Sequence, residues 1–158
     1  MRGFAGIDHL GLSVTDLDRS EHFYTVVLGL KPLMDSGTVR TFIDRETGFV
    51  LALSKHELGT DAPFTELTTG LDHIGLTAAS RDELVEWERR FDALGVPYTP
   101  IRDEAFASHL NFRDPDNIAL ELSASNAVYD GWMAELRERD IPADEIRARV
   151  MDYLEGLK

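Results

Sequence analysis

Two histidines in matching sequence contexts are the first residues whose chemistry can be read from this chain. Residues 6–13 read Gly-Ile-Asp-His-Leu-Gly-Leu-Ser and residues 70–77 read Gly-Leu-Asp-His-Ile-Gly-Leu-Thr, so His9 and His73 are equivalent. Alternation of apolar residues predicts that each lies in the middle of a strand and on one face of it. A lone strand histidine is usually a hydrogen-bonded core residue, but two imidazoles facing one cavity are good ligands for a divalent metal ion.

A carboxylate in an apolar run is the candidate third ligand. Glu121 interrupts Ile118-Ala-Leu-Glu-Leu122, and a buried carboxylate must be met by an ion, a proton or a hydrogen-bonding partner. The corresponding run of the first half has Ala52 at the aligned position, so a fourth ligand is missing. Two histidines and one carboxylate would leave coordination positions open for substrate, water or dioxygen.

His109 and Asn111 are the candidate catalytic residues. They lie two residues apart, on one face of the penultimate strand. A hairpin turn would place Asn111 about as far before the turn as Glu121 lies after it. The pair could therefore support the metal ligands or carry a proton, the alternative being a partly exposed strand histidine. Asp8 and Asp72 alternate away from the cavity, and we expect them to fix local backbone.

The elements that must position these residues repeat along the chain. Capping-box patterns, Thr15-x-x-Asp18 and Ser80-x-x-Glu83, follow the two first strands and predict a helix start in each half. Three strand-like runs follow each helix, so each half is βαβββ. The sequence predicts an α+β fold in which two tandem βαβββ modules form a pair of half-barrels. One domain, 1–125, would contain modules at about 5–54 and 69–125, joined by a connector at 55–68.

Beyond the repeat, residues 126–158 form a C-terminal extension. Tyr129 to Arg139 and Pro142 to Leu157 are predicted to be two helices, the second with an apolar stripe. That stripe must pack on something. We expect a clasp over one edge of the sheet, with a dimer contact as the alternative.

Composition excludes several classes of partner. The chain has 158 residues, with 16 basic and 29 acidic side chains and a formal charge of −13. Such a surface repels phosphate backbones and anionic lipid, so no nucleic acid or membrane partner is expected. The absence of cysteine excludes disulfides, thiolate ligands and a cysteine nucleophile. The N-terminus lacks the apolar stretch of a secretory signal, so we expect a cytoplasmic protein that acts on a small molecule.

The paired modules, the first-strand histidines and the run Asp114-Pro-Asp-Asn117-x-x-x-Glu121 together resemble the vicinal oxygen chelate superfamily. This group includes glyoxalases, bleomycin-resistance proteins and extradiol dioxygenases, and the resemblance covers about residues 5–124. It implies a metal-dependent enzyme that chelates a substrate through neighbouring oxygens. Fe(II), Mn(II), Zn(II) or Ni(II) would then be held by His9, His73 and Glu121.

Departures from the family patterns narrow the expected reaction. Glyoxalase I enzymes use four ligands, and Ala52 stands where the fourth would be. Extradiol dioxygenases and fosfomycin-type transferases place a tyrosine where this chain has Asn111, and the additional dioxygenase histidine is missing from 102–104. The resemblance implies dioxygenase or lyase/isomerase chemistry, with a non-catalytic protein that binds a small molecule or antibiotic as the alternative. The site would form within one chain or across a swapped homodimer.

Overall fold

The computed structural model describes residues 6–157, which form eight strands and four α-helices. The strands of the first module are β1 His9–Ser13, β2 Lys31–Asp35, β3 Val39–Ile43 and β4 Val50–Ser54. Those of the second are β5 Ile74–Thr77, β6 Arg102–Asp103, β7 Ala107–Arg113 and β8 Ala119–Ser125. The helices are α1 Leu17–His22, α2 Arg81–Leu94, α3 Ala127–Glu138 and α4 Ala143–Gly156.

Each module builds one four-stranded sheet, and the two sheets have the same topology. The strand orders are β1-β4-β3-β2 and β5-β8-β7-β6. In both sheets the first strand pairs parallel with the fourth, and the remaining pairs are antiparallel. The prediction of an α+β fold with two βαβββ modules is confirmed. In this arrangement β1 and β5 are edge strands of separate sheets.

The two helix starts differ from each other. Ser80 caps α2 as predicted, because its side chain accepts a hydrogen bond from the backbone N–H of Glu83. The prediction that Thr15 caps α1 is wrong: the cap is Asp16, which accepts from the N–H of Arg19. The helix then continues as a π-helical segment, Phe23–Val27.

Thr15 is instead used to join the two modules. Asp116, in the turn between β7 and β8, accepts hydrogen bonds from the N–H of Thr15 at 2.9 Å and from its hydroxyl at 2.5 Å. Arg19 adds an ion pair to the same carboxylate. Asp114, which lies in the same turn as Asp116, accepts a hydrogen bond of 3.0 Å from the hydroxyl of Tyr24. Burial raises the pKa of Asp114, and burial together with that carboxylate raises the pKa of Tyr24.

Aromatic packing completes the junction between modules. Phe112 of β7 packs against Phe91 of α2 and, across the junction, against Phe23, with ring centroids 4.7 and 6.4 Å apart. Arg90 of α2 donates hydrogen bonds to the carbonyl oxygens of Val26 and Val27. One core is therefore shared by the inner faces of both sheets and by their helices.

The C-terminal helices pack on the segment that precedes β7. Phe106 contacts Tyr129, Trp132 and Tyr153, and the Tyr153 hydroxyl donates a 2.9 Å hydrogen bond to the carbonyl of Ala105. Within residues 6–157, no helix has the length and apolar character needed to cross a bilayer.

The buried junction predicts an asymmetry between two tyrosines. Tyr24→Phe removes the hydroxyl donor from the buried carboxylate of Asp114 and should lower the free energy of unfolding by about 1–3 kcal/mol. Tyr98→Phe is the matched control, because the Tyr98 hydroxyl bonds Asp92 at an exposed position, and its effect should stay within about 0.5 kcal/mol. Urea unfolding of both variants measures the difference. Equal losses of unfolding free energy would mean that the buried hydrogen bond of Tyr24 stabilises the fold no more than the exposed one of Tyr98.

Candidate functional site

The outer faces of the two sheets, which point away from the shared core, carry the candidate residues at equivalent places. Glu121 of β8 pairs with Gly75 of β5 on one side and with Asn111 of β7 on the other. In the first module the same place belongs to Ala52, which pairs with Gly11 of β1. The first module therefore has no carboxylate there, as its sequence indicates.

The two histidines stand at the beginnings of the edge strands. His9 is the first residue of β1, and His73 comes just before β5, so the prediction that both lie mid-strand is wrong. The reason is the parallel pairing, which starts only at His9 opposite Val50 and at Ile74 opposite Leu120. The side chains are consequently open, with exposed fractions of 59% for His9 and 46% for His73.

Each histidine is held by the aspartate that precedes it. Nδ1 of His9 lies 2.8 Å from Oδ2 of Asp8, and Nδ1 of His73 lies 2.6 Å from Oδ1 of Asp72. A carboxylate can only accept, so Nδ1–H donates and Nε2 is left as the ligand atom. The expectation that these aspartates only fix backbone is wrong. The Asp-His pair repeated in both halves was the sequence signal for this arrangement.

Glu121 and His109 form a close pair on the second module. Nδ1 of His109 lies 3.0 Å from Oε1 of Glu121, and the side chains are only 20% and 15% exposed. Among residues 6–157, however, the buried Nδ1 of His109 has no hydrogen-bond partner, so the pair is a close contact rather than a hydrogen bond. His109 pairs with Ser123, two residues along the two strands from the Asn111–Glu121 pair and therefore on the same face. The side chains of Glu121, His109 and Asn111 therefore share one patch on the outer face of the second sheet.

An ion pair closes one end of this patch. Arg113 donates hydrogen bonds of 2.7 and 3.1 Å to the two carboxylate oxygens of Glu66, a residue of the connector. The Arg113 guanidinium lowers the pKa of Glu66 to about 2 and itself has a raised pKa. Sequence reasoning did not find Glu66, because the partners are distant in the chain and no motif links them.

The donor set fits a divalent metal ion chemically, but one chain presents it in separate parts. Two imidazoles whose Nδ1 atoms face aspartates, and one mostly buried carboxylate, suit a borderline divalent ion. Across residues 6–157, however, no three His, Asp or Glu side chains come close enough to hold one ion. His9 lies on the free edge of one sheet, while His73 and Glu121 lie on the other.

Comparison with known proteins places the chain in a family. Residues 6–122 match the profile of the Glyoxalase/Bleomycin resistance protein/Dioxygenase superfamily. The chain belongs to this superfamily. A crystal structure of a domain of the same description from Frankia sp. EAN1pec is 32% identical, with a TM-score of 0.71, over 79% of this chain and 95% of that one.

Two further proteins that resemble this chain carry more specific descriptions. The fosfomycin resistance protein FosX of Listeria monocytogenes, solved as a variant with Mn(II) and 1S,2S-dihydroxypropylphosphonic acid, shares the fold. Its TM-score is 0.64 at 24% identity, over 80% of this chain and 95% of that one. "Putative ring-cleaving dioxygenase MhqA" of Bacillus subtilis (strain 168) is 27% identical over 88% of this chain and 46% of its own length. The chain therefore spans about half of that relative.

The paired aspartates give the first prediction about the site. In Asp72→Asn the charged acceptor of the Nδ1–H hydrogen bond of His73 is replaced by a neutral amide. This change should weaken Mn(II) binding by roughly 10–100-fold, and Asp8→Asn should have the same effect through His9. Asp152→Asn, an exposed change on α4 with the same charge difference, is the control. Calorimetric titration with Mn(II) measures all three. Unchanged Mn(II) affinity in both variants would mean that Asp8 and Asp72 do not support the metal site.

Proposed function

We propose that the protein is a metal-dependent enzyme that binds a small substrate through vicinal oxygens to a divalent ion held by His9, His73 and Glu121. The observation that carries this proposal is the matched histidine pair. Each has its Nδ1 within hydrogen-bond distance of an aspartate, which leaves Nε2 to act as the ligand atom, and His73 comes two residues before Gly75, the register partner of Glu121. Mn(II) in the structure of the FosX relative supports a divalent ion in this fold.

The ion, when bound, supplies Lewis-acid activation of the substrate oxygens. The residues around it would supply orientation and proton transfer. Nδ1 of His109 is buried 3.0 Å from Glu121, so the other ring nitrogen, Nε2, would be the atom that takes or gives a proton at a substrate oxygen. Asn111, opposite Glu121 in the register, offers an amide donor to the same place. These roles suit dioxygenase or lyase/isomerase chemistry.

A homodimer would complete the ligand set. Among the described strands, β1 and β5 are edge strands that each pair on one side, and an unpaired edge is a template for pairing with another chain. Pairing β1 of one copy with β5 of a second would bring His9 towards His73 and Glu121 of the other copy. Large apolar side chains are exposed before β1, in the connector and before β5, as a second copy would require: Ile7, Leu58, Leu67 and Leu71.

A non-catalytic binding protein is the second candidate. The observation that favours it is a cavity of about 610 Å³ between β1 and the connector, partly lined by Phe64, Leu71 and Ile118. An apolar metabolite or antibiotic could bind there without metal. Metal content separates the two candidates, since a binder of this kind needs no stoichiometric ion.

Removal of single ligands tests the metal site. His9→Ala, His73→Ala and Glu121→Ala should each lower Mn(II) affinity at least tenfold, because each deletes one of three donors. His22→Ala, on α1 and away from both edge strands, is the matched histidine control and should bind as the unmodified protein does. Retained metal binding in the triple variant would overturn the assignment.

Mixed dimers test whether the ligands come from two copies. The His9→Ala and His73→Ala chains, given different affinity tags and co-expressed, each lack one ligand. If the sites form between copies, a mixed dimer keeps one site with all three ligands, and purification through both tags should recover about half of the normal metal content. If each site forms within one chain, both sites stay damaged and no metal is recovered. That result would reject the shared site while leaving the ligand assignment intact.

A further inference from the structure

Pairing of β1 with β5 between two copies would join two four-stranded sheets into one sheet of eight strands. The outermost strands of this joined sheet would be β2 of one copy and β6 of the other, because each lies at the far edge of its own sheet. A twisted sheet of about eight strands can curl around a space large enough for one small molecule. Its outermost strands would then approach each other on the open side of that space.

β2 offers exposed apolar side chains at one end of the joined sheet. Leu33 and Met34 are each more than half exposed, on a strand whose residues are all exposed. A bulge follows Pro32, and the register then places Met34 opposite Thr41. Thr41 pairs with Ala52 and so belongs to the outer face of the first sheet. Met34 therefore points to the same side of the sheet as the proposed metal site.

The C-terminal extension stands at the other end of the joined sheet. It packs on Phe106, which lies between β6 and β7. Ser125, on the outer face two residues beyond Ser123, donates a 2.6 Å hydrogen bond to Asp130 of α3. The extension therefore flanks the outer face of the second sheet near its β6 edge. It lies outside the region that the superfamily profile covers, which ends at residue 122.

Apolar surface is left over on the extension after this packing. Within the described part of the chain, neither α3 nor α4 contains a buried residue. Met151 and Leu157 of α4 are each more than half exposed. An ion pair of 2.6 Å between Glu135 and Arg149 holds α4 against α3, so the exposed side of α4 is presented in a fixed position.

We propose that the exposed side of α4 docks on β2 of a second copy and closes the open side of the joined sheet over the proposed site. The inference rests on the homodimer of the proposed function. A second copy is the occupant because pairing of β1 with β5 already brings its β2 to this side. Met151 would contact Leu33 and Met34 of the other copy, and the contact would remove all three side chains from water. The C-terminal extension would then separate a bound substrate from solvent.

The charges beside these apolar residues are complementary. Lys31 pairs with Ile43 in the register and lies on the outer face, as Met34 does. Glu155 follows Met151 by about one turn of α4, so the two side chains share one side of the helix. Both charged residues are exposed. When Met151 contacts Met34, Lys31 and Glu155 would form an ion pair at the rim of the contact.

Cross-linking between introduced cysteines tests the contact directly, because the chain has no cysteine of its own. Met34→Cys and Met151→Cys chains, given different affinity tags and co-expressed, form mixed dimers that are purified through both tags. A short bismaleimide should join the two different chains covalently. Leu94→Cys is the matched control, because Leu94 is an exposed apolar residue at the end of α2, which packs into the shared core. Equal yields with Met151→Cys and Leu94→Cys, or no cross-link between positions 34 and 151, would overturn the proposal.

Substitutions on the exposed side of α4 test whether the contact stabilises the dimer. Met151→Asp places a charge in the apolar contact and should weaken dimerisation by roughly tenfold or more, while Leu94→Asp should leave it unchanged. Glu155→Lys should weaken dimerisation by repelling Lys31, and Lys31→Glu in the same chain should restore it. Sedimentation of each variant measures the dissociation constant of the dimer. Equal constants for Met151→Asp and Leu94→Asp, or no restoration in the double variant, would contradict the docking.

Subunit number and Mn(II) affinity of the unmodified protein keep this test separate from the proposed function. A monomer would contradict the shared metal site and the docking of α4 together. A dimer that binds Mn(II) but gives no cross-link between positions 34 and 151 would contradict only the docking. A dimer that gives the cross-link but binds no Mn(II) would contradict only the metal site.

Discussion

The turn between β7 and β8 fixes how the two modules meet, and the rest of the structure depends on it. Asp116 accepts both hydrogen bonds that Thr15 can donate and pairs with Arg19, while Asp114 binds Tyr24. Both carboxylates are buried. Buried carboxylates are costly without partners, so the first module must present these donors where the second module needs them. This requirement favours the docking of the two modules that the structure shows.

Because the modules dock in this way, the proposed site residues lie on the outer faces of the sheets. Because the inner faces of both sheets are committed to the shared core, the histidines and Glu121 lie on the opposite faces. The same docking leaves β1 and β5 as unpaired edges. A chain whose proposed ligands lie at or beside two edge strands could complete its site with a second copy. The exposed apolar residues before β1 and in the connector agree with such an arrangement.

The repeat explains why much of the fold could be predicted and why part of the site could not. Equivalent sequences imply equivalent folds, so the two βαβββ modules and the correspondence of Ala52 with Glu121 followed from the sequence. A repeat does not specify whether the two halves of one chain or of two chains come together, so the sequence left open whether His9 and His73 meet within one chain or across a swapped homodimer. The cap of α1 was misassigned because Thr15 looks like a local cap, while its partner lies 101 residues away. Side-chain pairs between neighbours, such as Asp72 with His73, depend on rotamers that alternation does not specify.

The central claim is that one metal ion is held by His9 of one copy and by His73 and Glu121 of another. Native mass spectrometry of the full chain with Mn(II) tests this claim most directly, because it reads subunit number and bound metal together. The account predicts a dimer that carries two ions, with metal lost when dilution yields monomers. A monomer that retains one ion with undiminished affinity, or a dimer that binds none, would contradict it.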